Sequence, residues 1–158
     1  MNLDGYALPI KKLKGTEPVE SLDLSGKNLG VASTIVIASL ISVNGSLTKM
    51  SLAVNELGEE GTKAICEALE QNKTLKELGL RGGYPSYNNI GGAAGAKHVA
   101  KMLGVNGGLT SIDVRQNNIA GDGAVQLAAA VLGNLKIEIF NEIPIKEMRA
   151  NSLTRNWT

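Results

Sequence analysis

Four segments of the chain superimpose on one another: "VESLDLSGKNLG" from Val19, "LTKMSLAVNELG" from Leu47, "LKELGLRGG" from Leu75 and "LTSIDVRQNNIA" from Leu109. Each carries apolar residues at its first, fourth and sixth positions: Val19/Leu22/Leu24, Leu47/Met50/Leu52, Leu75/Leu78/Leu80 and Leu109/Ile112/Val114. Three carry another five positions later, at Leu29, Leu57 and Ile119. The starts are spaced by 28, 28 and 34 residues, and a further 28 lead to Ile137, where a degraded copy, "IEIFNEIP", begins. A fixed period of this length is the signature of stacked units that bury their apolar faces only against their neighbours.

The second half of each unit repeats as well. Counting from Ser33, Gly61, Gly95 and Gly123, the fourth position on is Ile37, Ile65, Val99 or Leu127, and the eighth is Ile41, Leu69, Leu103 or Val131. That spacing is the buried stripe of an amphipathic helix. The period-two alternation in each first half is a short strand. The units therefore read strand, turn, helix, loop: a half-unit at 1–18, then 19–46, 47–74, 75–108 and 109–136, and a degenerate last copy at 137–158.

Composition narrows the class. Sixteen basic against fifteen acidic residues leave a net charge of +1, which offers no footprint for nucleic acid or an anionic membrane. Aromatics are few (Phe140, Trp157, Tyr6, Tyr84 and Tyr87), so a base-stacking platform is not expected. The longest apolar run, Val31 to Val43, is too short and too rich in serine to span a bilayer. One cysteine, Cys66, excludes an internal disulfide. A soluble cytoplasmic protein without cofactor or metal is the expectation.

The glycine-rich stretch "LRGGYPSYNNIGGAAGAKHV" invites a phosphate-loop reading. Spacing argues against it, because Gly95-Ala96-Lys97 is followed by His98 where a phosphate loop needs Ser or Thr, and no Gly-x-Gly-x-x-Gly occurs. The third unit is simply six residues longer than its neighbours, and the extra residues lie between Leu80 and Gly95. They form an insertion at the strand-to-helix turn.

The pattern "LxxLxLxxNxLG…G…AxxAL", matched almost throughout by "LTKMSLAVNELGEEGTKAICEALEQNKT", resembles the leucine-rich repeat of the ribonuclease-inhibitor type. The resemblance covers Val19 to about Ile143. It implies an α/β solenoid bent into a right-handed arc, with parallel strands on the concave face and helices on the convex one. The bend has a physical cause: adjacent strands sit about 4.8 Å apart, whereas packed helices need about 8–10 Å. Asn55, Asn88 and Asn117 are expected to turn their amides inward onto the backbone of a neighbouring turn. Two departures stand out. Lys27 holds the place of the first turn asparagine, and Glu142 falls where an apolar strand residue belongs, with "IPIKEMRANSLT" in place of the family's helix. That ending echoes "LPIKKLKGTEPVESL" at the start, with Pro9 and Pro144 in equivalent places, so the chain resembles one copy of a longer super-repeat or a small protein capped by half-repeats.

Function is expected on the strand face. The outward positions are Ser21, Asp23 and Ser25; Lys49, Ser51 and Ala53; Glu77, Gly79 and Arg81; Ser111, Asp113 and Arg115. Lys49, Glu77, Arg81, Tyr84, Tyr87, Asp113 and Arg115 are the candidate partner-binding residues, Arg and Tyr being the usual anchors of a protein interface. Cys66 shares a helical column with Ala38, Ala100 and Ala128 and is expected to be packed; His98 is expected to face solvent; Trp157 is a candidate cap or contact. The chain thus reads as a non-catalytic protein-binding module, with no acid–base, nucleophile or metal cluster and no nucleic-acid or membrane partner. The alternatives are a regulator of an enzyme, such as the Ran GTPase-activating proteins of the same repeat type, whose function depends on a strand-end arginine, and a self-assembling solenoid segment that stacks by its ends.

Overall fold

A computed structural model of the chain describes residues 1–86 and 89–155, with side chains as far as residue 151. Each repeated strand motif forms a short strand: β3 (Ser21–Asp23), β4 (Lys49–Ser51), β5 (Glu77–Gly79), β6 (Ser111–Asp113) and β7 (Ile139–Phe140). They make one parallel sheet in chain order, with Ser21, Lys49, Glu77, Ser111 and Ile139 in register. Between them run α2 (Val31–Ile41), α3 (Gly58–Glu70), α4 (Gly92–Leu103) and α5 (Gly121–Gly133), each packed on the next. Ile37, Ile65, Val99 and Leu127 are buried, as are Ile41, Leu69, Leu103 and Val131. They meet Leu24, Met50, Leu52, Leu78, Leu80, Ile112 and Val114 from the sheet in one continuous core.

Close helix packing depends on a column of small residues. A Cβ added at Gly123 would lie 2.5 Å from the carbonyl oxygen of Ala93, so α5 reaches α4 only because that position is glycine. At Gly61 the equivalent neighbour is the Thr34 side chain, 3.0 Å away.

Both ends of the sheet are modified by tight turns. At the start, β1 (Asn2–Leu3) and β2 (Tyr6–Ala7) form an antiparallel hairpin whose turn residues Asp4 and Gly5 have positive φ, as an Asp-Gly hairpin turn requires. Its Asp4 carboxylate accepts the Gly30 and Ser33 amides (3.0 and 3.2 Å) and so caps α2. The short helix α1 (Ile10–Lys14) follows. At the far end, Phe140 and Ile143 exchange both backbone hydrogen bonds across a turn at Asn141 and Glu142, again of positive φ. Glu142 is therefore a turn residue, which is why no apolar side chain stands there. After Ile143 and Pro144 the rest of "IPIKEMRANSLT" is helical after all, within α6 (Ile145–Arg155), and both α1 and α6 begin one residue after a proline.

Two lines of asparagines hold the loops. In the first, the Asn55 amide donates to the Leu24 and Leu52 carbonyls (2.9 and 3.0 Å), and the Asn117 amide to those of Leu80 and Val114 (3.0 and 2.9 Å). Asn88 lies outside the described residues; Asn89 donates in this line to Leu52 and Leu80 (2.9 and 3.1 Å). The second line joins helix ends to strand starts and is absent from the sequence-based expectation. Asn44 donates to the Lys12 and Leu13 carbonyls, Asn72 to Ile41 and Asn44, Asn106 to Leu69 and Asn72, and Asn134 to Leu103 and Asn106. Each amide oxygen also accepts a backbone N–H of its own turn. Arg149 of α6 completes this line, donating to the carbonyls of Val131, Asn134 and Ile137.

Candidate functional site

The residues between the buried leucines stand in two rows across the sheet. Lys49, Glu77, Ser111 and Ile139 lie side by side in one, and Ser51, Gly79 and Asp113 in the other. With Glu142 they line a shallow groove of about 450 Å³. Lys49 Nζ pairs with Glu77 Oε2 at 2.9 Å, and this hydrogen bond raises the lysine above its ordinary pKa. An exposed pair of this kind contributes little to stability, so both charges can turn toward a ligand. Toward the first strand, Ser25 and Ser51 share a hydroxyl hydrogen bond of 2.6 Å, and the Ser25 hydroxyl and amide hold the Asp23 carboxyl below its usual value.

Arg115 is held as a clasp. Its guanidinium donates to both oxygens of Asp113 (2.9 and 2.7 Å) and, on the other edge, to both oxygens of Glu142. Burial alone would raise the Asp113 carboxyl, but hydrogen bonds from Arg115 outweigh it and hold it down. Two bidentate forks on one guanidinium tie β6 to the turn after β7. Asp113 and Glu142 therefore line the groove and Arg115 ties them together, Glu142 being the partner that sequence reasoning left out. Its signal was the polar residue at an apolar position.

Arg81 follows the end of β5 by two residues, and Tyr84 stands on the inserted loop. Arg81 donates its Nε–H to Gln116 Oε1 at 2.6 Å, and Tyr84 is 81% exposed. Beside them Val54, an exposed β-branched residue, sits at φ +54, held by its amide on the Arg81 carbonyl at 2.8 Å. The left-handed backbone there belongs to the repeat, since Gly26 and Gln116, at the equivalent positions of the first and fourth units, also have positive φ (63° and 56°). Gly26, Val54, Glu56, Tyr84 and Pro85 line a second hollow of about 200 Å³ under the insertion. Tyr87 and Trp157 lie outside the described residues.

The remaining candidates resolve into packing. Cys66 is buried at 2% exposure, and burial pushes its thiol up to about 12, so the thiolate that nucleophilic chemistry needs is suppressed. His98 does not face open solvent: it is half-buried and meets Glu59 Oε1 at 3.3 Å, bridging α3 and α4. Among the described residues no group of three or more His, Cys, Asp and Glu is placed to hold a metal ion, and no helix is long and apolar enough to cross a membrane.

No family model matches the chain. Mouse ribonuclease inhibitor is 33% identical over 110 residues, which cover 69% of this chain and 23% of that protein. RAN GTPase-activating protein 2 of Arabidopsis thaliana is 26% identical over 116 residues, 68% of this chain and 21% of that protein. The chain thus spans less than a quarter of the length of these curated relatives. Among solved structures, leiomodin-1 actin-binding site 2 superimposes with a TM-score of 0.74 at 18% identity, covering 94% of this chain and 87% of that one. Repeat register, parallel strand-and-helix stack and relatives agree: the chain belongs to the ribonuclease-inhibitor-like leucine-rich repeat proteins.

Proposed function

We propose that the chain is a non-catalytic, cytoplasmic module that holds a protein partner against its strand face. The observation that carries this reading is the strand face itself: an open groove lined by Lys49, Ser51, Glu77, Ser111, Asp113 and Glu142, with Tyr84 81% exposed on the inserted loop. Arg81, Tyr84 and Tyr87 serve as anchors, and Lys49, Glu77, Asp113 and Arg115 supply the charge pattern that sets register. Ribonuclease inhibitor and leiomodin-1 actin-binding site 2, by their names, engage proteins, which supports the class of ligand and leaves its identity to experiment.

The test is affinity capture followed by binding measurements on each captured protein. A partner whose affinity falls about tenfold or more with Arg81→Ala or Tyr84→Ala supports the strand-face site. A partner held equally by both variants and by Glu77→Lys overturns it.

A second reading rests on Arg81 and the likeness to a RAN GTPase-activating protein. A strand-end guanidinium presented to a GTPase would speed hydrolysis by orders of magnitude. Acceleration of GTP turnover by a Ran-type GTPase, lost with Arg81→Ala, supports it; an unchanged rate ends it.

A further inference from the structure

Two arginines stand at the same register position of neighbouring units, and only one of them is supplied with acid. Gly79 of β5 pairs with Asp113 of β6, so Arg81 and Arg115, each two residues further on, are equivalents. In the fourth unit Asp113 presents its carboxylate to the arginine two places along the same face, and both its oxygens accept (2.9 and 2.7 Å). Glu142, after the next strand, takes the far edge of that guanidinium, Nη1 and Nη2. In the third unit both acids are missing. Gly79 stands where Asp113 does, and toward the next strand Arg81 meets only the neutral amide of Gln116, which accepts its Nε–H at 2.6 Å. Among the described residues no carboxylate pairs with Arg81, and neither of its terminal nitrogens has a hydrogen-bond partner. Asp113 feels the charge of Arg81 across the strands, but its oxygens are already bonded to Arg115. The side chain of Arg81 is exposed, so its guanidinium is held at one edge and open at the other. The fold does not demand glycine at 79: a Cβ there would meet the Ser51 hydroxyl at 3.0 Å, and the same row carries Asp23, Ser51 and Asp113.

We propose that the open edge of Arg81 receives an aspartate or glutamate carboxylate of the protein partner, in the way that Arg115 receives Glu142. This rests on the strand-face reading and deepens it by naming the group that the partner brings. Arg115 shows that an arginine at this position takes a carboxylate in a bidentate fork. Gln116 fixes the Nε edge of Arg81 without neutralising it, which leaves Nη1 and Nη2 with donors and charge to offer. The bare backbone at Gly79 keeps the approach over the groove floor clear. A carboxylate suits this place better than a phosphoryl group, because Glu77, Asp113 and Glu142 already line the groove and repel a second negative charge.

Peptides selected from a random displayed library on the whole chain, then synthesised and measured by fluorescence anisotropy, test the proposal. The expected peptides share one Asp or Glu, and its change to Asn or Gln lowers affinity about tenfold. Arg81→Gln costs the same factor, and the two changes together cost no more than either alone. Gln116→Glu, an isosteric change that gives Arg81 a carboxylate of its own, also weakens binding. In the free chain the Nη protons of Arg81 exchange with water faster than those of Arg115. Peptides that need no acid, additive losses, tighter binding when phosphoserine replaces the acid, an indifferent Gln116→Glu, or equal exchange at the two arginines overturns the proposal. If Glu77→Lys still abolishes binding in such a case, the strand-face reading stands without it. Peptides indifferent to both Arg81→Gln and Glu77→Lys bind elsewhere and overturn both.

Discussion

Arg149 donates to the carbonyl of Asn134 at 3.3 Å, the contact that Asn134 itself makes with Asn106 at 3.2 Å and Asn106 with Asn72 at 3.1 Å. A guanidinium on the last helix thus takes the place of the next unit's carboxamide. The carbonyls it meets would otherwise lose a partner where the repeat gives out, and an unsatisfied buried polar group is costly.

Substitutions along this line should therefore be graded by burial. Asn72→Ala and Asn106→Ala each strip partners from both sides of a buried loop and should cost about 2–3 kcal/mol. Arg149→Ala, at the half-buried end, should cost about 1–2 kcal/mol. Urea unfolding midpoints at constant m-value check the order; equal or negligible losses at all three positions would remove the line as a stabilising element.

One helical column provides a matched pair. Ala100 is 8% exposed between α4 and α5, whereas Ala128 is exposed. Ala100→Leu should overpack that contact and cost about 1–3 kcal/mol, while Ala128→Leu should stay within about 0.5 kcal/mol of the parent. Thermal unfolding distinguishes them, and equal effects would mean that the helix layer is packed differently.

The cap on α2 is sensitive to acid. Hydrogen bonds from Ser33 and Gly30 lower the Asp4 carboxyl from its ordinary 3.8. A depressed carboxyl stabilises the fold fully above its unfolded value and loses that contribution as pH falls through the folded value. Asp4→Asn should thus be less stable than the parent near neutrality, with the gap closing below about pH 4. Melting temperatures of both proteins across that range decide it; a gap that is constant with pH means that Asp4 acts without its charge.

The strands and helices were legible in the sequence because each apolar column recurs with its side chain in the same environment, as Ile37, Ile65, Val99 and Leu127 do. Ala128 shows where that logic ends, since a column records residue type and not whether another helix follows. Asn44, Asn72, Asn106 and Asn134 also recur in register, but an asparagine a few residues before a strand, followed by Gly, Lys, Gly and Leu in turn, looks like ordinary turn chemistry. Only the fold shows their amides reaching 28 to 37 residues back. The same holds for Asn89, where two adjacent asparagines and an insertion blur the register, and for the Asp4-Gly5 hairpin, which closes over a helix distant in sequence. On the strand face, Arg81 and Tyr84 could be named from composition, while the Asp113–Arg115–Glu142 clasp depends on a turn that breaks the repeat.

The groove, the inserted loop and the asparagine lines all depend on units stacked with their strands parallel and in register. Nuclear Overhauser contacts across β4, β5 and β6 test this most directly. The expected result is a parallel pattern with Met50 beside Leu78 and Leu78 beside Ile112, and no close pairing of Hα atoms between these strands. Strong Hα–Hα contacts between any two of the three strands, the mark of antiparallel pairing, would contradict it.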